Sequence, residues 1–491
     1  MKKTTPFLPG ISPKLGGRAK RRQLEAIRLL RQRIRSESLA DIGTLFGDIL
    51  PPEVLVESQR DVRKRLFPES ITFWAWVSQL LECNSSCASA LTFVQSWYSR
   101  EDLPVPAFDT SSYCRARQRL SESFLENAES LTKTYIEARI EAHHLWYGYR
   151  LKAIDGTSVR LMDTEANQEL FPQPSGQKAG CGFPVMGVVG ILDLATGAMD
   201  RFLTCKDRDH DAQGLYQLSD HLVEGDLLLA DRAFCSYEAI ARLQANGVAS
   251  VMRLHQMREK KLDWRRGKKI DPDSRLVTWA RPPKPGKSGI TPEEWENLPE
   301  EMEVRLVRMK GTGRDGKPRT MYVITTLTDA SEYPTDEIGL LYAERWKIEV
   351  KFRDIKTTMG LEMLRVKNPE MAVKMMKMIQ IAYNLVKALQ LEAISGRAIL
   401  IDEIGYKGTL DAINEFRADF ARLQNRPQLW RRKMDDLAER MAERILLILL
   451  IRPNRQEPRA TKRRPKSHQY LTAPRHGFTE IQHREHYRAA A

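Results

Sequence analysis

The chain has 491 residues, of which 42% are hydrophobic and 29% charged, and it carries a formal net charge of +14. This is a globular composition of a length that usually divides into more than one core, and no apolar run approaches the roughly 20 residues that span a bilayer, so a disordered chain and a helical membrane protein are excluded. Six scattered cysteines with no C-x-x-C pair argue against a disulfide framework and a zinc module.

The charge is concentrated at the two ends. Residues 1–35 carry eleven Lys and Arg against Glu25 alone, and residues 452–491 carry ten against Glu457, Glu480 and Glu485. Basic arms around a nearly neutral body suit a polyanion partner, because each phosphate neutralised releases counterions; solubilising tails are the alternative. Pro6, Pro9 and Gly10 break the apolar stretch that a leader would need, so a cytoplasmic location with no membrane partner is expected.

From Arg21 to about Ile140 the pattern is helical, broken at Pro51-Pro52, Pro68 and Pro104, and an all-α domain is expected over residues 1–145. Cys83 and Cys87 are read as core thiols on one helix face. A helix near Ala90–Trp97 is followed by Asp109-Thr110-Ser111-Ser112, good N-cap chemistry, and then by a helix bearing Arg115, Arg117 and Arg119. Helix, turn and Arg-studded helix suggest a DNA-reading unit, and a surface helix with exposed arginines fits equally well.

At Tyr149 the period changes. Arg150–Ile154, Ser158–Met162, Val185–Leu192, Arg201–Thr204, Leu227–Ala230 and Val248–Met252 read as strands, with a turn at Gly197 and helices at Gln213–Leu222 and Tyr237–Ala245. Within Asp207-Arg208-Asp209-His210-Asp211 a single histidine among acids is read as a solvated loop. Residues 254–321 are rich in Lys, Arg, Pro and Gly and read as a β-rich inserted subdomain. Tyr322–Thr326 returns to strand, and Pro334 opens a long helix to about Met359. Helices are expected at Glu370–Leu391 and from Leu410 to Ile451, so that 146–253 with 322–365 forms a catalytic core, 366–451 a helical C-terminal region that could serve dimerisation, and 452–491 a basic tail.

Three acidic residues stand where catalytic carboxylates could converge: Asp155 and Asp231, each ending an apolar strand, and Glu349 on the long helix. Phosphodiester cleavage uses hard cations held by oxygen ligands, and two aspartates with a glutamate supply them. Singly, each has a plain structural explanation as a turn, an ion pair or a helical glutamate. On the helix, however, Tyr342, Arg345, Glu349, Arg353 and Lys356 fall within about a 100° arc, beside an apolar stripe of Leu341, Ile348, Phe352, Ile355 and Met359. Cations flanking a metal-binding carboxylate make sense where phosphates bind.

The spacing Tyr342-x₂-Arg345-x₃-Glu349-x₆-Lys356 resembles the YREK signature of bacterial insertion-sequence transposases of family four. Ile154-Asp155-Gly156-Thr157, Ala230-Asp231-Arg232, the run from Phe352 to Thr358 and Ile381-Ala382-Tyr383-Asn384-Leu385 resemble the same family. The resemblance implies an α/β fold with a ribonuclease H-like core and a β-rich insertion, flanked by helical regions. It implies two Mg²⁺ ions, replaceable by Mn²⁺, on Asp155, Asp231 and Glu349. Tyr342, Arg345 and Lys356 would hold phosphates of the element end, with Trp346, Arg353 and Arg232 as further DNA contacts. It also implies double-stranded DNA partners, namely terminal inverted repeats and target, a homodimer in the synaptic complex, a nucleoid-associated protein, and a DNA hairpin intermediate. A hairpin needs a flipped base, and of Trp264, Trp279 and Trp295 in the insertion, Trp279 beside Arg275 and Arg281 is the stacking candidate, with Trp346 second. A nuclease without strand transfer and an inactive DNA-binding relative are the competing readings.

Overall fold

A computed structural model describes residues 45–51, 66–82, 85–100, 104–178, 180–206, 211–284, 290–312, 318–360, 362–395 and 400–423. The basic arm at 1–35, the run Ile445–Ile451, the tail 452–491, Cys83 and most of the Asp207–Asp211 cluster lie outside these residues. By internal packing the chain divides into two compact units, one of residues 1–79, 85–124 and 411–441, the other of 80–84, 125–410 and 442–491.

The first unit is helical where described. Helix α1 (Glu69–Leu81) is buried on all sides from Thr72 to Ser78, whereas α2 (Cys87–Arg100) buries Ala90, Leu91 and Val94 on the 3–4 residue spacing of an amphipathic helix. Cys87 opens α2, and the shared helix face expected for Cys83 and Cys87 lies outside the described residues. Asp109 stands before α3 (Ser111–Arg119) and accepts the Ser111 N–H at 3.1 Å, so the carboxylate rather than Thr110 tethers the helix start. Arg117 is buried. Its guanidinium lies over the Trp76 ring at 4.4 Å and donates to Cys87 Sγ at 3.3 Å, which makes it a core residue and removes it from the expected DNA contacts. Arg115 and Arg119 face outward.

The second unit is a mixed α/β body around one ten-stranded sheet of order β3-β2-β1-β4-β5-β9-β8-β7-β6. The first part comprises β1 (Arg150–Leu161), β2 (Val185–Asp193), β3 (Met199–Lys206), β4 (Asp226–Ala230) and β5 (Ala249–Arg253). The β1–β2–β3 strands form an antiparallel meander, and the turn into β3 has Gly197 at φ +69°, a conformation that favours glycine. β1, β4 and β5 are parallel. Parallel neighbours need a crossover, and α7 (Tyr237–Ala245) supplies the one between β4 and β5, after α4 (Glu122–Glu137), α5 (Glu165–Leu170) and α6 (Asp211–Leu218) earlier in the chain. β4 reads as an unbroken apolar run because every one of its five residues is buried.

The inserted segment does not make a separate subdomain. Its strands β6 (Lys268–Asp271), β7 (Ser274–Ala280) and β8 (Glu301–Thr312), with β9 (Pro318–Thr325), continue the same sheet through the β5–β9 ladder. Met302, Val304 and Leu306 of β8 share one apolar core with Ile154, Leu228 and Ile240. The edge of β5 is covered by Val323–Thr325 of β9, and the inserted strands β8, β7 and β6 extend the sheet outward from β9. Likewise the expected boundaries at 145 and 366 move: α4 from residue 125 and α10 (Pro369–Ile394) belong to the sheet unit. On α10, Asn384 forms a two-way amide pair with the Met199 backbone at 2.9 Å each way, behaving as a short strand partner of β3.

The long helix from Pro334 is divided in three. Helix α8 (Thr335–Glu344) ends in a tight turn at Arg345, where Arg345 N–H bonds Tyr342 O and Ile348 N–H bonds Arg345 O, both three residues back. Helix α9 (Trp346–Arg353) then widens into a π turn at Asp354–Thr358. Two-residue β10 (Met363–Leu364) returns the chain to β1, and α11 (Tyr406–Leu423) is the last described helix. No described helix is long and apolar enough to cross a membrane.

Candidate active site

One edge of β1 changes partner partway along. Arg150–Ile154 pair with β4, Arg160 and Leu161 pair with β10, and among the described residues no strand pairs with 155–159 on that side. The opening lies at the carboxyl end of β4, the usual place for a site in a parallel α/β sheet. Asp155 is therefore the first residue of β1 beyond the β1–β4 ladder, although β1 itself runs on to Leu161 instead of ending there as the sequence suggested. The register pairs Ile154 with Ala230, so Asp155 and Asp231 leave adjacent strands side by side. Gly156 N–H donates to Asp155 Oδ1 at 2.9 Å, and Ala233 N–H donates to Asp231 Oδ1.

Helix α9 lies across this opening. Arg345 joins the two halves: its Nη2 is 3.0 Å from Glu349 Oε1 and its Nη1 is 3.8 Å from Asp155 Oδ2. Burial pushes the Asp155 carboxyl up to about 6; the Gly156 N–H and Arg345 oppose this, and Glu349 and Asp231 add to it by like-charge repulsion. Tyr342 is buried, which pushes its phenol up to about 12, against the pull of Arg345 and Arg253, with Asp231 also facing it. Burial lowers Lys356 from the ordinary lysine range, while Glu362 and Asp155 oppose that shift. All four YREK residues and both aspartates thus converge on one place.

The close seating of α9 depends on Gly190. It pairs with Asp155 across β1–β2, and a Cβ there would stand 3.1 Å from the Phe352 ring of α9. Arg253 ends β5 one strand beyond Asp231, since Ala230 pairs with Met252, and its buried Nε has no hydrogen-bond partner. Neither residue was among those singled out in the sequence. Arg253 could have been found as the charged residue ending the strand that follows the Asp231 strand.

The donor set is made of carboxylate oxygens, which suit a hard divalent cation, and a cation would relieve the repulsion that raises Asp155. Among the described residues no three of His, Cys, Asp and Glu stand together closely enough to hold a metal ion as placed.

Residues 146–385 match the family described as transposase DDE domain. The chain is also 28% identical over 373 residues to the transposase InsG for insertion sequence element IS4 of Escherichia coli (strain K12), covering 72% of this chain and 78% of that protein. The chain is thus similar to DDE transposases, one of them the transposase of the IS4 element. The matched segment contains Asp155, Asp231, Glu349 and the whole run from Tyr342 to Lys356, and it extends to Leu385, just beyond Asn384.

The other expected DNA contacts are placed unevenly. Arg232 is exposed directly after Asp231, and Arg353 is exposed at the end of α9. Trp346 is 54% exposed, with the Arg345 guanidinium 5.5 Å from its ring. Trp279 is packed edge-on by Tyr237 at 5.5 Å and covered by Arg258 at 4.1 Å, so a base reaches that face only by displacing the arginine. Trp295 is buried, and Trp264 lies beneath Arg308 at 4.6 Å.

Proposed function

We propose that this protein excises and reinserts an insertion sequence by cut-and-paste chemistry, with Asp155, Asp231 and Glu349 as the catalytic carboxylates of a ribonuclease H-like core. The observation that carries this reading is the parallel register that sets Asp155 beside Asp231, together with the Arg345 bridge from Asp155 to Glu349. The strand order of three antiparallel strands joined to parallel β4 and β5 supports the core assignment.

Asp155, Asp231 and Glu349 are the residues that would hold two divalent cations, Mg²⁺ or Mn²⁺. When bound, such cations supply an activated attacking oxygen and stabilise the leaving one. The chain's own residues orient the substrate. Arg345, Lys356 and Arg253 surround the carboxylates with positive charge that matches phosphates of the element end, Arg offering a planar two-donor fork and Lys a point charge. The Tyr342 phenol, kept protonated by its burial, is a hydrogen-bond donor. Arg232, Arg353, Arg115 and Arg119 extend the contacts to double-stranded DNA. Water attack frees a 3′-OH, and attack of that 3′-OH on the opposite strand releases the flank and leaves a hairpin end. A flipped terminal base needs a stacking surface; the exposed Trp346 ring offers one directly and Trp279 offers one once Arg258 moves. Pairing of two element ends calls for a homodimer acting on inverted repeats and target DNA in the bacterial nucleoid.

The test is cleavage of duplexes carrying the ends that flank the gene. With Mg²⁺ the protein should nick, form hairpins and join ends to target DNA, and EDTA should stop all three. Asp155→Ala, Asp231→Ala and Glu349→Gln should abolish cleavage while retaining end binding, because each removes a cation ligand and no phosphate anchor. Trp346→Ala and Trp279→Ala are compared for nicked product that fails to become hairpin. Cleavage without joining would leave a nuclease, and full activity in EDTA would refute the metal assignment.

A further inference from the structure

Behind α9, on the side away from Glu349, the sheet unit buries a group of charges that the chemistry above does not use. Lys347 and Lys351 are one turn apart, and each is two residues from Glu349, so they lie about 160° around the helix from it. Both grip one carboxylate: Lys347 Nζ is 2.7 Å from Asp402 Oδ2 and Lys351 Nζ is 2.6 Å from Asp402 Oδ1. Asp402 and Lys351 are buried, and Asp402 sits in the short 3-10 turn Ile401–Glu403, which is seated before α11.

The group is closed on its far side by α10. Lys387 is fully buried and donates to Gln390 Oε1 at 2.9 Å, and Gln390 Nε2 donates to Thr409 Oγ1 at 2.6 Å. Its ammonium lies 5.5 Å from the Tyr383 ring and 5.4 Å from the Tyr406 ring, and those rings stack at 4.9 Å. Asp354, the first residue of the π turn, faces Lys387 and Lys351. Burial alone would raise Asp402, yet Lys351 and Lys347 hold it down to about 2, so the pairing is strong enough to reverse the cost of burying the carboxylate.

An apolar stripe alone is a loose guide to the rotation of a helix, because apolar burial is non-directional. A carboxylate with one oxygen on each of two lysines is directional. We propose that Asp402 is a positioning residue: through Lys347 and Lys351 it sets the rotation of α9 about its axis, and with it the direction in which Glu349 meets Asp155. The inference rests on the catalytic reading of Glu349.

The experiment compares the full-length parent with Asp402→Asn, Asp402→Glu and Lys347→Met. Three quantities are read: single-turnover cleavage of an element-end duplex, affinity for the same duplex, and Mn²⁺ binding by calorimetry, with thermal melting as the control for folding. Asp402→Asn should cleave at least about tenfold more slowly and bind Mn²⁺ several-fold more weakly, while end affinity stays within about threefold. Asp402→Glu should recover part of the rate. Lys347→Met keeps the buried Lys351 pair and should fold even if Asp402→Asn does not; its rate should fall about two- to tenfold at unchanged affinity. A folded variant that cleaves at the parent rate, or that loses rate and affinity in equal measure, overturns the proposal. A parent that fails to cleave at all overturns the transposition reading instead, which separates the two failures.

Discussion

Asp155 illustrates how a residue suited to its chemistry weakens the fold around it. Its carboxyl is pushed up to about 6 by burial and by Glu349 and Asp231, above the roughly 3.9 of an unfolded aspartate. The folded chain therefore holds the proton more tightly than the unfolded one, and stability in EDTA should fall as pH rises from about 4 through 6, the full cost being present above 6. Asp155→Asn removes the ionisation, so at pH 7.5 in EDTA the variant should melt about 2–5 °C above the parent, whereas at pH 4 the two should melt together. Equal melting at both pH values would show that the repulsion is negligible. The same titration controls cleavage: protons and cations compete for the carboxylate, so the rate should drop as pH falls through about 6, and raising Mg²⁺ should move that midpoint lower. A midpoint indifferent to Mg²⁺ would assign the titration to another group.

Among the elements, the seating of α9 on the sheet decides the geometry. Gly190 is the position on β2 that lets the Phe352 ring come close beside Asp155. Gly190→Ala would set a Cβ 3.1 Å from that ring, and the helix or the ring must give by a few tenths of an ångström. Overpacking of this kind costs about 1–3 kcal/mol, and a small displacement of a catalytic group is enough to slow chemistry markedly. The expected result is a folded protein, a few degrees less stable, with cleavage reduced about tenfold and end binding unchanged. A stable variant with the parent rate would mean that Phe352 simply turns aside. The tight turn at Arg345 and the π turn at Asp354–Thr358 belong to the same scale, since wide turns inside helices often mark functional sites.

For the whole molecule, charge distribution and sheet topology carry separate consequences. The tail 452–491 holds ten Lys and Arg, and its contacts to DNA should be to phosphates only. Its removal should weaken end binding and flatten the dependence of affinity on salt, while cleavage at saturating protein persists. An unchanged salt slope would show that the tail does not touch DNA. The sheet, by contrast, joins the core strands and the inserted strands into one body, so substitutions at Val304 or Leu306 on β8 reach the core shared with Ile154.

Much of this was legible in the residues. The boundaries of α7, β2 and β4 follow from periodicity and continuous apolar runs, and the three carboxylates stand out because their spacing relative to strands and to a cationic helix face is a local property. What sequence could not decide was how elements distant in the chain share hydrogen bonds and space. Lys, Arg, Pro and Gly between residues 254 and 321 look like a separate subdomain, yet β8 pairs along β9, the strand that flanks β5, and so carries the segment into the same sheet. Arg117 reads as a surface charge until Trp76 and Cys87 are folded against it. Gly190 and Asp402 carry no local signal, and Arg253 only that of a charge ending a strand: their roles come from a helix packing on a strand, from two lysines reaching one carboxylate across about fifty residues of chain, and from the register of parallel neighbours. Periodicity is written residue by residue, whereas burial and pairing are properties of the assembled sheet, and only the tertiary structure determines them.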